Sequence, residues 1–200
     1  MEIEAKPARG GSERTPWCVG PCHVRLRDGT ALLIRPTVPN DLPLMASNYT
    51  MLTREDIHQR FFEYLNGFPE RLVRQVTKPG PRCDLALVAQ PAGDETPSDQ
   101  ILGLVQLACM SHGDEAEYAI IVRHDWQGRG VGWVLTEAAL REARLRGLSH
   151  IRAYVLPDNA RMLRMLHEFG FTIRIDSNDP HVMRADLDLS HATGSPSSRR

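Results

Sequence analysis

The sequence predicts an α/β (α+β) domain, a mixed and mostly antiparallel sheet of about seven strands built on a central β-α-β core. Three observations predict it. The stretch from Ala116 to Gly147 runs from a short apolar segment through a glycine turn into an amphipathic helical pattern. Short strand-like runs divided by turn residues precede it, which makes antiparallel neighbours. A second apolar run, Ser149–Leu156, follows the helix, so the strands on either side of that helix lie parallel through a right-handed crossover.

Two hundred residues suit one such domain. Lys and Arg number 24 against 25 Asp and Glu, and this net charge of -1 gives no global attraction to nucleic acid or anionic membranes. No apolar run nears the roughly 20 residues that span a bilayer, and the polar start lacks the apolar segment of a secretory signal. The expected compartment is the cytoplasm. Cys18, Cys22, Cys83 and Cys109 are too sparse for a disulfide scaffold, so reduced thiols are expected. Cys109 reads as a core thiol. Cys18, Cys22 and His23 have no second Cys/His pair at finger-like spacing, and no metal site is assigned.

Residues 1–21 mix Pro, Gly, Ser and charge without apolar periodicity and read as a flexible leader to a domain spanning 22–189. His23–Arg27 and Ala31–Arg35 flank Asp28-Gly29-Thr30, a hairpin whose Asp-Gly supplies the turn. Asp41 is placed to cap a helix over Leu42–Asn48. Thr53-Arg-Glu-Asp56 forms a capping box ahead of Ile57, Phe61 and Leu65 at helical spacing. A short helix over Pro69–Thr77 stops at Lys78-Pro79-Gly80-Pro81. Asp84–Ala89, Gln100–Met110 and Glu117–Val122 make a meander whose first two strands are joined by the Pro91–Asp99 loop. The central helix carries Val131, Val134, Leu135, Ala138 and Leu145 at core spacing and ends at Gly147. Glu137 and Arg141 make an i,i+4 pair on its solvated face. Asn159 opens a last helix with Met162, Leu163, Leu166 and Phe169 on one face, stopped by Gly170. Phe171–Ile175 and Val182–Leu189 close the sheet as a hairpin, and 190–200 read as a disordered tail.

The turn before the central helix is spaced Gln127-x-x-Gly130-x-Gly132, which is neither the G-x-G-x-x-G of dinucleotide folds nor a P-loop. The first N–H groups of a helix lack intrahelical partners and lie at the positive end of its dipole, so they bind phosphate oxygens. Glycine lets a bulky anion come close. With Asn159-Ala160 and Gly170-Phe171, this spacing resembles the GNAT acetyltransferase superfamily, and the element order agrees over about residues 23–189. Within it, Leu26-Arg-Asp-Gly-Thr30, Ile34-Arg-Pro36, Asp41, Arg60-Phe-Phe62, Leu85–Ala89 and Val155–Leu163 look like the acetyltransferase domain of bacterial Pat-type protein lysine acetyltransferases.

The resemblance implies a GNAT fold, acetyl-CoA as co-substrate, and transfer of acetyl to an amine, here a lysine of an acceptor protein such as an acyl-CoA synthetase. It implies cofactor contacts from Ile121, Val122, Arg123, Gln127, Gly128, Arg129, Gly130, Val131, Gly132 and Asn159. Pyrophosphate would lie on the turn N–H groups and Arg129, and a strand N–H near Ile121 or Val122 would polarise the thioester carbonyl. A lysine amine, with a reference pKa of about 10.4, must lose a proton before it attacks. Glu117, in an otherwise apolar strand, is the candidate base; Glu115 on the same face and Asp114 stand in reserve. Burial would raise such a carboxyl toward a useful value. Leu166 stands where many GNAT enzymes place a tyrosine acid, and a thiolate whose thiol has a pKa of about 8.5 leaves without one. Two other functions stay open, acetylation of a small amine or antibiotic and a non-catalytic acyl-CoA-binding module. Nothing in the sequence fixes the oligomeric state.

Overall fold

The structure is a computed structural model describing residues 20–65, 67–70, 76–77, 84–92, 99–110 and 113–190. The leader up to residue 19, the tail after 190, most of the helix expected over Pro69–Thr77, the breaker at 78–81 and the middle of the Pro91–Asp99 loop lie outside them.

Eight strands form one sheet: β1 (Cys22–Arg25), β2 (Ala31–Pro36), β3 (Leu85–Pro91), β4 (Gly103–Cys109), β5 (Glu115–Val122), β6 (His150–Val155), β7 (Thr172–Ile175) and β8 (Met183–Asp188). Their order is β1-β2-β3-β4-β5-β6-β8-β7. Every neighbouring pair is antiparallel except β5 and β6, which are parallel across the expected crossover. The closing hairpin forms with β8 inserted between β6 and the edge strand β7.

Among the described residues the helices are α1 (Leu42–Tyr49), α2 (Arg54–Phe61), α3 (Val131–Leu145) and α4 (Ala160–Glu168). The box at the head of α2 forms as the sequence predicts. Asp56 N–H donates to Thr53 Oγ1 at 3.1 Å, and Thr53 N–H donates to Asp56 Oδ2 at 2.8 Å. Asp41 precedes α1 but makes no side-chain cap. Its carboxylate is instead taken by Arg35, at 2.6 and 2.7 Å, and by the Val38 N–H, because a buried acid gains more from a bidentate guanidinium.

α3 packs on β3, β4 and β5, burying Val131, Val134, Leu135, Ala139, Leu140 and Ala143. The expected stripe drifts from this at its end: Leu145 is 52% exposed, and the 3.6-residue period passes through Ala139 and Ala143 instead. Glu137 and Arg141 make no ion pair; the i,i+4 pair of this helix is Glu142–Arg146 at 2.9 Å. On the opposite face α1 contributes Met45, packed with Val88, Ile101 and Leu104. Strand β3 is therefore covered on both sides, and all but its last residue are buried.

The expectation of reduced thiols fails at one position. Cys109 is disulfide-bonded, and it stands half-buried at the end of β4, packed against the core. Cys22 is a free thiol, and Cys18 and Cys83 lie outside the described residues. Among the described residues no helix is long and apolar enough to cross a membrane.

Candidate active site

The site begins where the parallel pair comes apart. β5 and β6 are in register from Glu115↔His150 to Tyr118↔Ala153, after which β5 runs on to Val122 and β6 to Val155 without pairing. Over the same residues β5 stays paired with β4. Arg123 N–H donates to Leu102 O at 2.9 Å and Met110 N–H to Glu115 O at 2.9 Å. Antiparallel alternation then turns the odd-numbered residues of β5 toward β4 and the main-chain groups of Ile120 and Val122 toward the split. The N–H of Ile121 belongs to the β4 ladder, so of the two carbonyl-polarising candidates Val122 faces the split, with Ile120 beside it.

A cavity of about 490 Å³ fills this split, bounded by β5, β6, α2, α3 and α4. At one end stands the start of α3. Gly130 is its N-cap with a left-handed φ of 101°, no side chain caps the first turn, and that turn carries no acidic residue. Gly128, Gly130 and Gly132 border the cavity, so the turn presents unpartnered N–H groups to it. Val131, also expected to contact the cofactor, is fully buried and does not border the cavity.

The two arginines expected here are already engaged elsewhere. Arg129 bonds Asp28 in the β1–β2 hairpin at 2.9 Å and lies over the Trp126 ring at 4.0 Å. Hydrogen bonds from Thr30, then Arg129, hold Asp28 down to about 2. Arg123 pairs with Asp125 at 2.6 Å and reaches Gln100. Neither lines the cavity; each found a nearby carboxylate that the linear pattern did not reveal. Their place is taken by Arg161 and Arg164 of α4, both exposed and both lining the cavity. The signal for them was present, since they fall opposite the apolar stripe of α4 within one turn of each other.

Gln127 acts as a bracket across this end. Its amide donates to Asp56 at 2.6 Å and to the Val122 carbonyl at 3.2 Å, and its oxygen accepts from Arg161 at 2.9 Å. Asp56 thereby joins the cap of α2 to the glycine turn, with His124 at 3.2 Å. Burial works to raise its carboxyl, yet the bonds from Thr53, Gln127 and His124 hold it below the ordinary value. Asn159 also borders the cavity, but its side chain caps α4, accepting the Met162 N–H at 3.1 Å. A ligand meets it as a helix cap rather than as a free amide.

At the other end lies Glu117. It lines the cavity, but it is exposed, not buried as expected, because α2 covers β5 only in part. The register Ala108↔Glu117 and Gln106↔Ala119 puts its side chain on the sheet face that α2 covers, where Arg60 bonds Gln106 at 3.2 Å. Glu115 is half-buried and outside the cavity lining, and Asp114 accepts from Ser149 Oγ at 2.6 Å. Phe62 closes α2 at a left-handed φ of 61°, rare for a bulky side chain, and borders the cavity. Tyr118 was not singled out by the sequence. Its hydroxyl meets Thr136 at 2.6 Å and ties β5 to α3, and burial pushes the phenol far up, against the weaker pull of that bond. Leu166 is fully buried and does not border the cavity, so this position offers no proton donor there.

Among the described residues the one parallel pair of the sheet thus splits beside a helix start that no side chain caps, an arrangement open to an anionic ligand. The sequence matches the acetyltransferase (GNAT) domain family over residues 31–172, and the chain belongs to it. It is an acetyltransferase domain. It is similar to Acetyltransferase Pat of Mycolicibacterium smegmatis, 25% identical over 153 residues, which are 76% of this chain and 44% of that protein. The chain thus spans less than half the length of that relative. The GNAT domain of S. lividans PAT superposes with a TM-score of 0.75 at 28% identity, covering 84% of this chain and 97% of that one. yncA, a putative acetyltransferase from Salmonella typhimurium with its cofactor acetyl-CoA, shares the fold with a TM-score of 0.61 at 17% identity, covering 84% and 99%.

Proposed function

We propose that residues 22–189 form a protein lysine acetyltransferase in which Glu117 is the general base. The observation that carries this reading is the placement of Glu117 at the closed end of the β5–β6 split, one residue before the strands part, exposed and lining the same cavity as the glycine turn. Pyrophosphate of acetyl-CoA lies on the first N–H groups of α3, aided by Arg161 and Arg164. The pantetheine arm runs along the main chain of Ile120 and Val122, and the Val122 N–H polarises the thioester carbonyl. The lysine nitrogen attacks that carbon, the N–C bond forms as the C–S bond breaks, Glu117 accepts the amine proton, and CoA leaves as thiolate. An exposed base beside Phe62, itself 37% exposed, supports an acceptor that brings a long side chain to the protein rather than one swallowed whole. Similarity to PAT and Pat supports a protein acceptor, an acyl-CoA synthetase for example. A cytoplasmic location goes with this reading. Incubation with labelled acetyl-CoA and a cell lysate tests the acceptor class. Label on protein lysines supports the reading, and label only on small amines overturns it.

A further inference from the structure

Arg60 differs from the other sheltered arginines. Arg35, Arg146 and Arg152 each hold a carboxylate, at 2.6, 2.9 and 3.1 Å. Arg60, half-buried on the last turn of α2 and lining the cavity, has none within ion-pair distance among the described residues. Its contacts are the neutral amide of Gln106 at 3.2 Å and the face of Phe61, 4.9 Å from the ring centre. A guanidinium carries five donors, so most of its capacity is unused. Taking such a charge out of water is costly unless a partner compensates it. Burial accordingly lowers the Arg60 pKa, opposed only by the field of Glu117.

The partner position is open toward the acceptor. Gln106, which anchors Arg60, is paired with Ala119, and Glu117 lies two residues away on the same face, roughly 7 Å along the strand. One carboxylate that seeks an ammonium and one guanidinium that seeks a carboxylate therefore face the same space. We propose that Arg60 binds a carboxylate of the acceptor, so that preferred acceptors carry a carboxylate beside the amine that is acetylated. Either an acidic residue flanking the acceptor lysine or the α-carboxylate of a free amino acid supplies that chemistry. The inference rests on the acetyl-transfer reading of the same cavity.

Two acceptor pairs test it with acetyl-CoA as donor: a lysine peptide with Glu or with Gln beside the lysine, and a free amino acid against its carboxamide. The parent should prefer the carboxylate member of at least one pair by about tenfold or more in kcat/KM, since a site built for a polar group rejects the analogue lacking it. Arg60→Met and Arg60→Gln, which keep length without charge, should bring that ratio near one while acetyl-CoA affinity by calorimetry barely moves. The pair that responds identifies the source. Parent ratios near one in both pairs overturn the inference, and so does a preference that survives in either variant that folds. Equal acetylation of both peptides together with equal rates on the amino acid and its carboxamide keeps the lysine reading and removes this one; a preference for the free amino acid with neither peptide acetylated does the reverse.

Discussion

Gly132 and Gly130 stand two residues apart, and their geometry predicts opposite responses to substitution. A Cβ on Gly132 would lie 3.7 Å from Val122 Cγ2 and 3.8 Å from Ile120 Cδ1 and Met165 Sδ, ordinary contact distances. Alanine therefore fits there. Gly132→Ala should stabilise the chain by about 0.5–1 kcal/mol by restricting the unfolded state. For a domain of this size that is a rise in Tm of about 1–4 °C. Leucine adds atoms beyond a Cβ already in contact on three sides. Gly132→Leu should cost about 1–3 kcal/mol in overpacking, and its side chain enters the split. Acetyl-CoA affinity should fall by about tenfold or more, equivalent to about 1.4 kcal/mol. Gly130 is limited by backbone instead of space: its φ is 101°, and a Cβ there meets only Leu26 Cδ2 at 3.5 Å. Gly130→Ala should cost about 1–2 kcal/mol through the left-handed conformation and weaken binding by distorting the turn. Scanning calorimetry and titration with acetyl-CoA read both effects. A Gly132→Leu variant with parental Tm and parental affinity would refute the placement of the cofactor in the split.

Thr53→Ala removes the cap of α2 and should cost about 1 kcal/mol in urea unfolding; it also frees Asp56 from its brace, so the KM for acetyl-CoA should rise. Tyr118→Phe deletes one buried hydrogen bond while Thr136 keeps its bond to Gly132 O at 2.7 Å, for a loss of about 0.5–1.5 kcal/mol in the same assay. Asp186 is surrounded by His150, Arg152, Arg174 and Arg184. Burial works to raise its carboxyl, but the bonds from His150, Arg152 and Arg184 take it from an ordinary 3.8 down to about 2. A depressed carboxyl stabilises the fold above its unfolded pKa and loses that contribution as pH falls through the folded one. Parent stability should therefore drop by about 1–2 kcal/mol more than that of Asp186→Asn between pH values of about 5 and 2, read from urea midpoints.

The frame of this fold was legible because it rests on local signals. The Thr53–Asp56 box, the Asp-Gly hairpin and the Gly147 stop each involve a few adjacent residues, and each forms as the pattern predicts. What the chain could not announce was the choice of partner across space. Arg129 sits in the binding motif yet answers to Asp28, a hundred residues earlier in the sequence, at 2.9 Å. Asp41 forgoes its helix for Arg35, and Asn159 turns from the split to its own helix. Glu117 was found from its strand position, but its exposure depends on where α2 ends, which periodicity over Ile57, Phe61 and Leu65 placed too late. Arg60 lies within a motif, but that no carboxylate among the described residues pairs with it follows only from the fold.

In the proposed reaction Glu117 takes the proton of an acceptor lysine. Glu117→Gln keeps size and hydrogen bonding but cannot accept that proton, so kcat on a lysine peptide at pH 7 should fall by about 10²–10⁴-fold with acetyl-CoA affinity unchanged. The deficit should shrink as pH rises, because more of the lysine is then already neutral. A variant that acetylates the peptide at the parental rate at pH 7 would contradict the assignment of the base.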